Sequence, residues 1–376
     1  MTIIIKTGIL FMNIIYTFFK FLPTQKKMTI ISRQGDHPSM DITMLANKTS
    51  DLYPDYNIVV LCKKINKTIS SIISYSFHML KQMYHISTSE VVVLDSYCIL
   101  ASILKHKKSL LIIQMWHSVG TMKKFGYSVL DKPEGSSSKI AHAMKMHRNY
   151  DYIFSAGYGY RTHLAEGFNY PLEKVIVMPL PRIEALKDDN YSYRVRNDIL
   201  NAYPCMKEKK NIIYVPTFRK NDNDDFITAL NELCSSVDYN KYNLIIKPHP
   251  LTDLSDFKNK NAILDRNFSS FDMLFAGDII VSDYSCIIYE AAVLKKPIFF
   301  YDYDYDSYMD SRDVYMDYER EIPSAIHKDA KSLIEDIEKG VYDYKRLESF
   351  LNKYVYTKSP HETEDMIDFI FAHRKK

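Results

Sequence analysis

The residues best suited to chemistry in this chain are two histidines that each follow a short apolar run. His117 lies in the segment WHSVGT (residues 116–121), directly after the run LLIIQM. An imidazole titrates near neutral pH, so at such a position it can accept a proton from an attacking hydroxyl group. A lone histidine is more often a hydrogen-bonded structural residue, but the adjacent tryptophan and the flexible Gly120 favour a chemical role. Lys123 and Lys124 follow, and they either hold phosphate or belong to a solvated face.

The second histidine, His249, lies in the segment KPHP (residues 247–250). Proline fixes φ, so this loop holds its donors in a restricted set of orientations. The ammonium group of Lys247 and an N–H group of His249 together suit the oxygens of a pyrophosphate. A simple turn with a capped histidine is the alternative, although proline on both sides of an exposed histidine favours binding.

Two further polar segments also follow apolar runs. The segment SDYS (residues 282–285) precedes a predicted helix, and hydroxyls beside the free N–H groups of a helix start form an anion site. Ser285 as an ordinary N-cap is the alternative. Glu290, inside that helix, has a carboxylate that can accept a hydrogen bond from a ribose hydroxyl.

Thr217 and Arg219 follow another run, and the planar guanidinium of an arginine can hold two phosphate oxygens.

A metal site is not indicated by the sequence. The run YDYDYD (residues 301–306) resembles a calcium-binding loop, but it lacks the glycine at the sixth position and the glutamate at the twelfth. The chain contains no HExxH motif, Walker loop or GxGxxG fingerprint. We therefore predict no metal and no required cofactor.

Short apolar runs that alternate with helical segments must position these groups. The predicted strands are 28–32, 58–62, 91–94, 110–114, 152–155 and 175–178, followed by 212–215, 244–247, 262–264, 279–282 and 297–301. Helices are predicted, for example, at 68–83, 184–201, 224–236 and 286–295. Continuous β-branched runs such as VVV at 91–93 suit strands that are buried on both faces, as in parallel sheets.

The alternation of strand and helix occurs twice, which predicts an α/β fold with two doubly wound, Rossmann-like domains. The two prolines of PLPR (residues 179–182) mark the boundary. We predict an amphipathic helix at 1–25, a first domain at 26–182 and a second at 183–376, whose last helix is free to pack back on the first domain. Ligands bind beyond the carboxyl ends of the strands in such sheets, so the four polar segments predict one cleft between the domains.

The composition excludes some classes of protein. The 376 residues include 49 basic and 46 acidic ones, for a net charge of +3, whereas a general nucleic-acid-binding protein needs a concentrated basic surface. We therefore predict no nucleic-acid partner, and the oligomeric state stays open. The five cysteines are far apart and form no CxxC motif, which indicates reduced thiols in a cytosolic setting.

Residues 2–22, TIIIKTGILFMNIIYTFFKFL, form the most apolar segment of the chain. No small-residue cleavage site follows them, which argues against a secretory signal. The run between Lys6 and Lys20 is shorter than the roughly 20 residues that a membrane span needs. The polar residues fall on one narrow arc of a helix, which predicts a helix lying in the headgroup plane of a membrane. A helix that packs on its own domain is the alternative.

Taken in order, these segments resemble the CDP-glycerol glycerophosphotransferase family, the teichoic acid primases and polymerases with a GT-B fold. The matching segments are ISRQG (31–35), QMWH (114–117), KKFG (123–126), YVPTFR (214–219), IKPHP (246–250) and VSDYS (281–285). Each is weak alone, but six in register over nearly the whole chain are specific. The resemblance implies transfer of glycerol phosphate or ribitol phosphate from CDP-glycerol or CDP-ribitol to a terminal hydroxyl of a teichoic-acid-type or capsular polymer, with release of CMP.

The resemblance also implies roles for individual residues. The first domain is expected to bind the acceptor, with His117 as the base and with Trp116, Ser118, Lys123 and Lys124 as acceptor-binding residues. The second domain is expected to bind the CDP donor, with His249 also acting in catalysis. The expected donor-binding residues are Thr217, Arg219, Lys247, His249, Ser282, Asp283, Ser285, Glu290 and Arg312. The expected partners are a membrane-anchored polymer or lipid-linked primer and the inner-leaflet lipid, with peripheral attachment at the cytoplasmic face.

The chain departs from the family pattern at Cys286, where a second serine is usual, and at Glu290, where an aspartate is usual. The longer form WHSVGT followed by KKFG resembles the chain-extending and ribitol-handling branches more than the primase branch. Two other functions stay open, namely a GT-B glycosyltransferase that uses a nucleotide sugar and a non-catalytic membrane protein that binds polymer. The fold alone does not separate them, because one fold hosts many chemistries.

Overall fold

The computed structural model describes residues 2–65, 68–219, 223–255 and 257–375. The strands, in chain order, are β1 (Gln25–Ser32), β2 (Asn57–Cys62), β3 (Ser89–Leu94), β4 (Leu111–Gln114), β5 (Tyr152–Ser155), β6 (Val175–Val177), β7 (Lys210–Val215), β8 (Tyr242–Ile246), β9 (Ile263–Leu264), β10 (Ile279–Ser282), β11 (Ile298–Tyr301) and β12 (Ile326–His327). The first α-helices are α1 (Thr2–Lys20), α2 (Met40–Leu52), α3 (Ile69–Thr88), α4 (Ile99–Ile103), α5 (Ser138–Ala143), α6 (Arg161–Phe168), α7 (Arg182–Lys187) and α8 (Asp189–Ala202). They are followed by α9 (Asn223–Ser236), α10 (Ser270–Ala276), α11 (Ile287–Val293), α12 (Tyr305–Ser311), α13 (Tyr318–Glu321), α14 (Ala330–Lys339), α15 (Tyr344–Tyr354) and α16 (Glu362–Ala372).

The chain divides into two compact units. Unit 1 comprises Met1–Ser118, Lys124–Glu184 and Tyr356–Lys376, and unit 2 comprises Val119–Lys123 and Ala185–Val355. This division differs from the two predicted domains in three segments, because residues 119–123 belong to unit 2, whereas residues 183–184 and 356–376 belong to unit 1. The last helix, α16, packs on α2 within unit 1. The rings of Tyr53 and Phe371 stack there with their centroids 3.7 Å apart.

Each unit contains a parallel sheet. In the described part of unit 1, six strands follow the order β2-β1-β3-β4-β5-β6. Strand β2 lies on one side of β1, and strands β3 to β6 follow one another on its other side, which is the doubly wound arrangement. The runs VVVL (91–94) and LIIQ (111–114) are entirely buried, as expected for strands covered by helices on both faces.

The described part of unit 2 likewise holds six parallel strands, in the order β12-β11-β10-β7-β8-β9. Every predicted strand is present, with ends that differ from the prediction by three residues at most. The two-residue β12 was not predicted, since so short a strand has no periodicity. The helix predicted at 184–201 is broken, because the carboxylate of Asp188 accepts hydrogen bonds from the N–H groups of Asn190 (2.8 Å) and Tyr191 (3.2 Å) and so begins α8 as its N-cap.

The apolar helix α1 packs on unit 1 through polar groups. The amide of Asn13 donates to the carbonyl of Ile103 (3.2 Å) and accepts from the N–H of Lys105 (2.9 Å). Tyr16 is fully buried, with its hydroxyl 3.0 Å from Nδ1 of His106. By length and composition Ile3–Lys20 is sufficient to cross a membrane, which differs from the prediction that the run is too short.

Most large apolar side chains of α1 lie on the surface. The exposed fraction is 79 % for Ile3, 61 % for Phe11 and 70 % for Phe18. The neighbouring helix α3 exposes Ile69 and Phe77 to a similar degree. Asn13 and Tyr16 of α1 face unit 1, whereas Lys6, Thr17 and most of the large apolar side chains are exposed. An exposed apolar face of this size is unusual for a helix of a globular domain.

Candidate active site

His117 lies just beyond the carboxyl end of β4, in unit 1. Its Nδ1 is 2.9 Å from the backbone carbonyl oxygen of Asp95, which follows β3, the neighbouring strand. A carbonyl only accepts hydrogen bonds, so Nδ1 must carry the proton of the neutral ring. Nε2 is then the unprotonated nitrogen, which is the form that a general base requires.

Burial disfavours the charged form of His117. The pKa of this imidazole is lowered from its ordinary value chiefly by burial, against the opposing influence of Asp95. The adjacent Trp116 has a left-handed backbone (φ 65°), and its backbone N–H donates to the side-chain oxygen of Gln114 at 3.0 Å. Its indole packs against the rings of Phe125 and Phe168, at 4.7 and 5.2 Å between centroids. These contacts hold a strained turn in place.

Arg182 fixes the same turn, and sequence reasoning missed it. Its guanidinium donates to the backbone carbonyl of His117 at 3.1 Å. Its Nε and backbone N–H donate to the two carboxylate oxygens of Asp41, each at 2.9 Å. The side chain of Asp41 is only 1 % exposed. The sequence analysis treats the segment PLPR only as a domain boundary, because no local pattern relates Arg182 to Asp41, which is 141 residues away.

His249 lies beyond the carboxyl end of β8, in unit 2, and is exposed. Its Nδ1 accepts a hydrogen bond from the backbone N–H of Leu251 at 3.2 Å, so in the neutral ring the proton is on Nε2. The ring lies 5.2 Å from that of Phe218. Partial burial, and then the charge of Lys123, lower the pKa of His249. His249 therefore offers an N–H donor, whereas His117 offers an acceptor.

Arg219 does not have the free guanidinium that the sequence suggested. Its NH1 lies 3.0 Å from a carboxylate oxygen of Asp283, and its Nε lies 2.6 Å from one of Asp304. The rings of Tyr284 and Tyr308 lie 5.2 and 5.1 Å from the guanidinium carbon. Burial lowers the pKa of this group, but the two carboxylates outweigh burial and raise it. Its side chain is 7 % exposed, so it serves as a buried ion pair.

Comparison with known proteins identifies the family. The model of the CDP-glycerol:poly(glycerophosphate) glycerophosphotransferases matches residues 14–372. The chain belongs to this family. It is 31% identical over 363 residues to a teichoic acid ribitol-phosphate primase of Bacillus spizizenii, which covers 93% of this chain and 92% of the primase.

Two further relatives agree with this family. A teichoic acid poly(ribitol-phosphate) polymerase of the same species is 31% identical over 78% of the chain, and the chain spans about half (48%) of that polymerase. The solved structure of the wall teichoic acid polymerase TagF superposes with a TM-score of 0.75 at 17% identity, covering 100% of this chain and 97% of that one. The predicted family, its GT-B-like fold and the assignment as a polyol-phosphate transferase are therefore confirmed.

Several residues of the glycerophosphotransferase motifs support the fold of unit 2. Ser282 is fully buried and donates to the carbonyl of Val215 at 2.7 Å. Asp283 is fully buried and accepts from the N–H of Thr217 with both oxygens, at 2.8 and 3.0 Å. Lys247 is paired with Asp265 at 2.9 Å. Their hydrogen bonds and charges are satisfied within the unit.

Other residues of the family motifs are better placed to meet a ligand. Thr217, Ser285 and Arg312 are partly exposed, and the buried Oγ1 of Thr217 has no hydrogen-bond partner within the described ranges. Strands β10, β7 and β8 are neighbours, so Ser285, Thr217 and His249 follow adjacent strand ends. Glu290 differs from these, because it is buried at 3 % exposure within α11.

Lys123 was predicted to bind the acceptor from the first domain, but it belongs to unit 2. It forms an antiparallel bridge with Val314, and its ammonium group lies 5.6 Å from the centroid of the Tyr308 ring. Burial, and to a smaller degree Arg312, lower its pKa. Ser118 and Lys124 remain in unit 1. Lys123 is therefore associated with the residues of the predicted donor site.

The glycine of the KKFG motif allows this loop to pack closely on α6. Gly126 has a left-handed backbone (φ 58°), and a Cβ added there would lie 2.2 Å from the carbonyl oxygen of Gly167. A Cβ on Gly167 would lie 2.5 Å from the ring of Phe125. Phe125 also contacts Trp116. The two glycines thus let this loop approach α6 closely beside the His117 turn.

The aspartates of YDYDYD (301–306) serve as ion-pair partners or lie buried. Asp304 pairs with Arg219, and Asp306 pairs with Lys328 at 2.8 Å. Burial, and then the charge of Asp283, raise the pKa of Asp302 to about 8. Among the residues that the structure describes, no group of three or more His, Cys, Asp or Glu side chains is suited to a metal ion.

Proposed function

We propose that this protein transfers a polyol phosphate from a CDP-polyol to a terminal hydroxyl of a teichoic-acid-type polymer, with His117 as the base. The acceptor oxygen bonds to the phosphorus that carries the polyol, and the bond from that phosphorus to the bridging oxygen breaks. CMP leaves with the bridging oxygen, and the hydroxyl proton passes to Nε2 of His117. The observation that carries this proposal is the hydrogen bond of His117 to the Asp95 carbonyl, which leaves Nε2 free to accept a proton.

The donor phosphates are assigned to polar groups of unit 2 that are exposed or partly exposed. His249 supplies the N–H of Nε2, and Lys123 supplies a cation within electrostatic range of it. Thr217, Ser285 and Arg312 complete the set. Arg219, Lys247 and Asp283 act as positioning residues, because their charges are already paired. The carboxylate of Glu290 is assigned to accept a hydrogen bond from a ribose hydroxyl of the donor. Transfer of this kind depends mainly on positioning and on neutralising phosphate charge.

Ribitol phosphate is the polyol phosphate that the comparisons favour. The ribitol-phosphate primase and polymerase are both 31% identical to this chain, whereas a glycerol-phosphate primase of Bacillus subtilis is 28% identical. CDP-glycerol is the alternative donor, supported by the family name and by a matching structure of TagF soaked with CDPG.

Donor competition tests the reaction class. The protein is incubated with a lipid-linked primer and with CDP-ribitol, CDP-glycerol or a UDP-sugar, and released CMP and UDP are measured. We expect primer-dependent CMP release, fastest with CDP-ribitol. Release of UDP without CMP would instead support a nucleotide-sugar glycosyltransferase, and no release with any donor would support a polymer-binding protein.

Replacement of the base tests the role of His117. His117→Gln should lower transfer by at least about 100-fold, the lower range of general-base contributions, while binding of the CDP donor measured by calorimetry changes little. His361→Gln, at an exposed histidine of unit 1, is the matched control and should be active. Loss of donor binding with residual transfer would contradict the assignment.

We also propose that α1 attaches the protein peripherally to the cytoplasmic face of the cell membrane, where a polymer or lipid-linked primer is the acceptor. The support is the exposed apolar face of α1 beside that of α3. Phe11→Ser with Phe18→Ser should reduce sedimentation with anionic vesicles, whereas Tyr193→Ser with Tyr344→Ser, at exposed aromatics of unit 2, should not. Release by alkaline carbonate distinguishes a peripheral helix from a spanning one.

A further inference from the structure

A basic cavity of about 400 Å³ lies in unit 1 at the amino-terminal ends of β4 and β5. Residues 104–107, which precede β4, form one wall, and residues 145 and 148–151, which precede β5, form another. His117 follows the carboxyl end of β4, so this cavity is at the opposite edge of the sheet from the proposed base. The reaction described above makes no use of it.

The lining carries far more positive than negative charge. Its cationic side chains are those of Lys105, Lys107, Lys145, Arg148 and Lys375. The carboxylate of Asp151 is already engaged, with one oxygen 2.7 Å from Nζ of Lys375 and the other accepting from the N–H of Ile112 at 2.8 Å. Within the described ranges, Lys105, Lys145 and Arg148 form no ion pair. Uncompensated cations in a concave site attract an anion.

The walls of the cavity are held by specific contacts. The side-chain amide of Asn149 donates to the carbonyls of Ala101, Ser102 and Leu104, at 2.9, 3.1 and 3.2 Å. The segment before β5 has positive φ at alternate residues, 48° at Lys145, 59° at His147 and 72° at Asn149. The backbone N–H groups of Met146 and Arg148 already donate to the carbonyls of Ala141 (2.9 Å) and Lys145 (3.1 Å), so an anion in the cavity is bound by the cationic side chains.

The cavity adjoins the helix that we assign to the membrane. The backbone N–H of Lys105 donates to Asn13 of α1, and the ring of His106 contacts Tyr16. Lys107 donates from Nζ to the carbonyl of Leu22 at 2.6 Å, next to Phe21, which is 81 % exposed. An anion bound here therefore lies beside the end of α1 and close to the exposed side chain of Phe21.

We propose that this cavity binds the phosphate group of an anionic phospholipid headgroup. The inference rests on the proposed membrane attachment, because α1 places the cavity at the lipid surface. Headgroup phosphates are abundant anions at the lipid surface, and basic pockets beside membrane helices bind lipid headgroups. The cavity anchors the protein and orients unit 1 on the membrane, and it is separate from the transfer chemistry.

Binding of a soluble short-chain phosphatidylglycerol, below its micelle concentration, tests the site by calorimetry. The full chain should bind one molecule, and Lys145→Ala with Arg148→Ala should weaken binding by about tenfold or more, as expected for two lost contacts with a phosphate. Arg320→Ala with Lys331→Ala, exposed in unit 2 and equal in charge change, is the control and should change it by less than about twofold. Short-chain phosphatidylcholine should bind at least about tenfold more weakly, since its headgroup has no net charge.

Further measurements distinguish a lipid phosphate from a polymer phosphate as the ligand of the cavity. They also test this proposal separately from the proposed membrane attachment through α1. CMP release from a soluble acceptor should be unchanged in the double variant, so loss of lipid binding with intact transfer supports the proposal even if membrane attachment through α1 is modest. If the double variant is unstable, Lys105→Ala, at an exposed position, provides the second test. Equal lipid binding by the variant and the control would overturn the proposal. So would competition by a soluble ribitol-phosphate oligomer that exceeds that of the lipid, because the cavity would then hold acceptor polymer.

Discussion

The guanidinium of Arg182 lies 3.1 Å from the backbone carbonyl oxygen of His117 while the same side chain pairs with the buried carboxylate of Asp41. The proposed base is thus held from two sides, by the Asp95 carbonyl at its ring and by Arg182 at its backbone. Both contacts lie within unit 1, so the orientation of His117 is built into that unit.

Removing Arg182 should impair catalysis without removing the base. In Arg182→Gln the His117 turn loses its clamp and Asp41 is left buried without its cation, at a cost of about 3–5 kcal/mol of stability. Asp41→Asn in the same chain should restore most of the free energy of unfolding but not the transfer rate. Urea unfolding and CMP release measured on both variants check this. Recovery of rate together with stability would mean that Arg182 acts only on folding.

The pH dependence of transfer should reflect a lowered pKa of His117. Burial disfavours the imidazolium, so the acid limb of kcat/KM should lie below the ordinary histidine pKa of about 6.5. The rate falls as pH drops through this pKa, because a protonated ring accepts no proton. Arg182→Lys, which keeps a cation, should leave the limb in place, whereas Arg182→Gln should move it upward because a positive neighbour is lost. An acid limb above pH 7 in the unmodified protein would contradict this account.

His249 should act through the N–H of its Nε2. Glutamine places an amide N–H near that position, so His249→Gln should raise the KM for the CDP donor by less than about threefold, whereas His249→Ala should raise it about tenfold, the worth of one hydrogen bond to a charged group. Initial rates of CMP release over a range of donor concentrations measure this. Equal effects of the two substitutions would argue against a role as hydrogen-bond donor.

The ion pairs of Arg219 should matter for stability. Arg219→Gln leaves two buried carboxylates, Asp283 and Asp304, without their partner and should cost about 3–5 kcal/mol of unfolding free energy. Arg320→Gln, at a side chain that is 85% exposed, should have almost no effect. Denaturant titration of both variants gives the comparison. If Arg219→Gln loses donor binding while its free energy of unfolding is unchanged, Arg219 is instead a phosphate ligand.

Asp302 should make unit 2 less stable at high pH. Its folded pKa of about 8 is above that of an unfolded aspartate, so the folded state binds more protons between about pH 4 and 8 and stability falls as pH rises through that range. Asp302→Asn removes this loss and should be more stable than the unmodified protein at pH 8.5 by about 1–3 kcal/mol. Urea unfolding at pH 5.5 and 8.5 measures the difference, with the exposed Asp306→Asn as control. An equal pH slope in both variants would contradict the raised pKa.

Much of the fold and part of the site could be predicted from the sequence. Buried strands such as VVVL and LIIQ have patterns that determine them locally, and the polar segments after them indicate which edge of each sheet carries chemistry. His117 and His249, which we propose as the base and as a hydrogen-bond donor, were selected in this way. Arg182 was not, because its partner Asp41 is 141 residues away and no local pattern relates the two.

The sequence by itself determined the type of each unit, the strand ends that carry polar side chains and the residue types available for phosphate chemistry, because these follow from periodicity and side-chain chemistry over a few residues. Only the tertiary structure decided which of those side chains are already paired. Arg219, Lys247 and Asp283 have the chemistry of ligand-binding groups, but each meets an opposite charge from a distant segment. Charge pairing between distant segments depends on three-dimensional proximity. Arg219 and His249 are both polar residues at strand ends, but Arg219 is buried beside two carboxylates, whereas His249 is exposed.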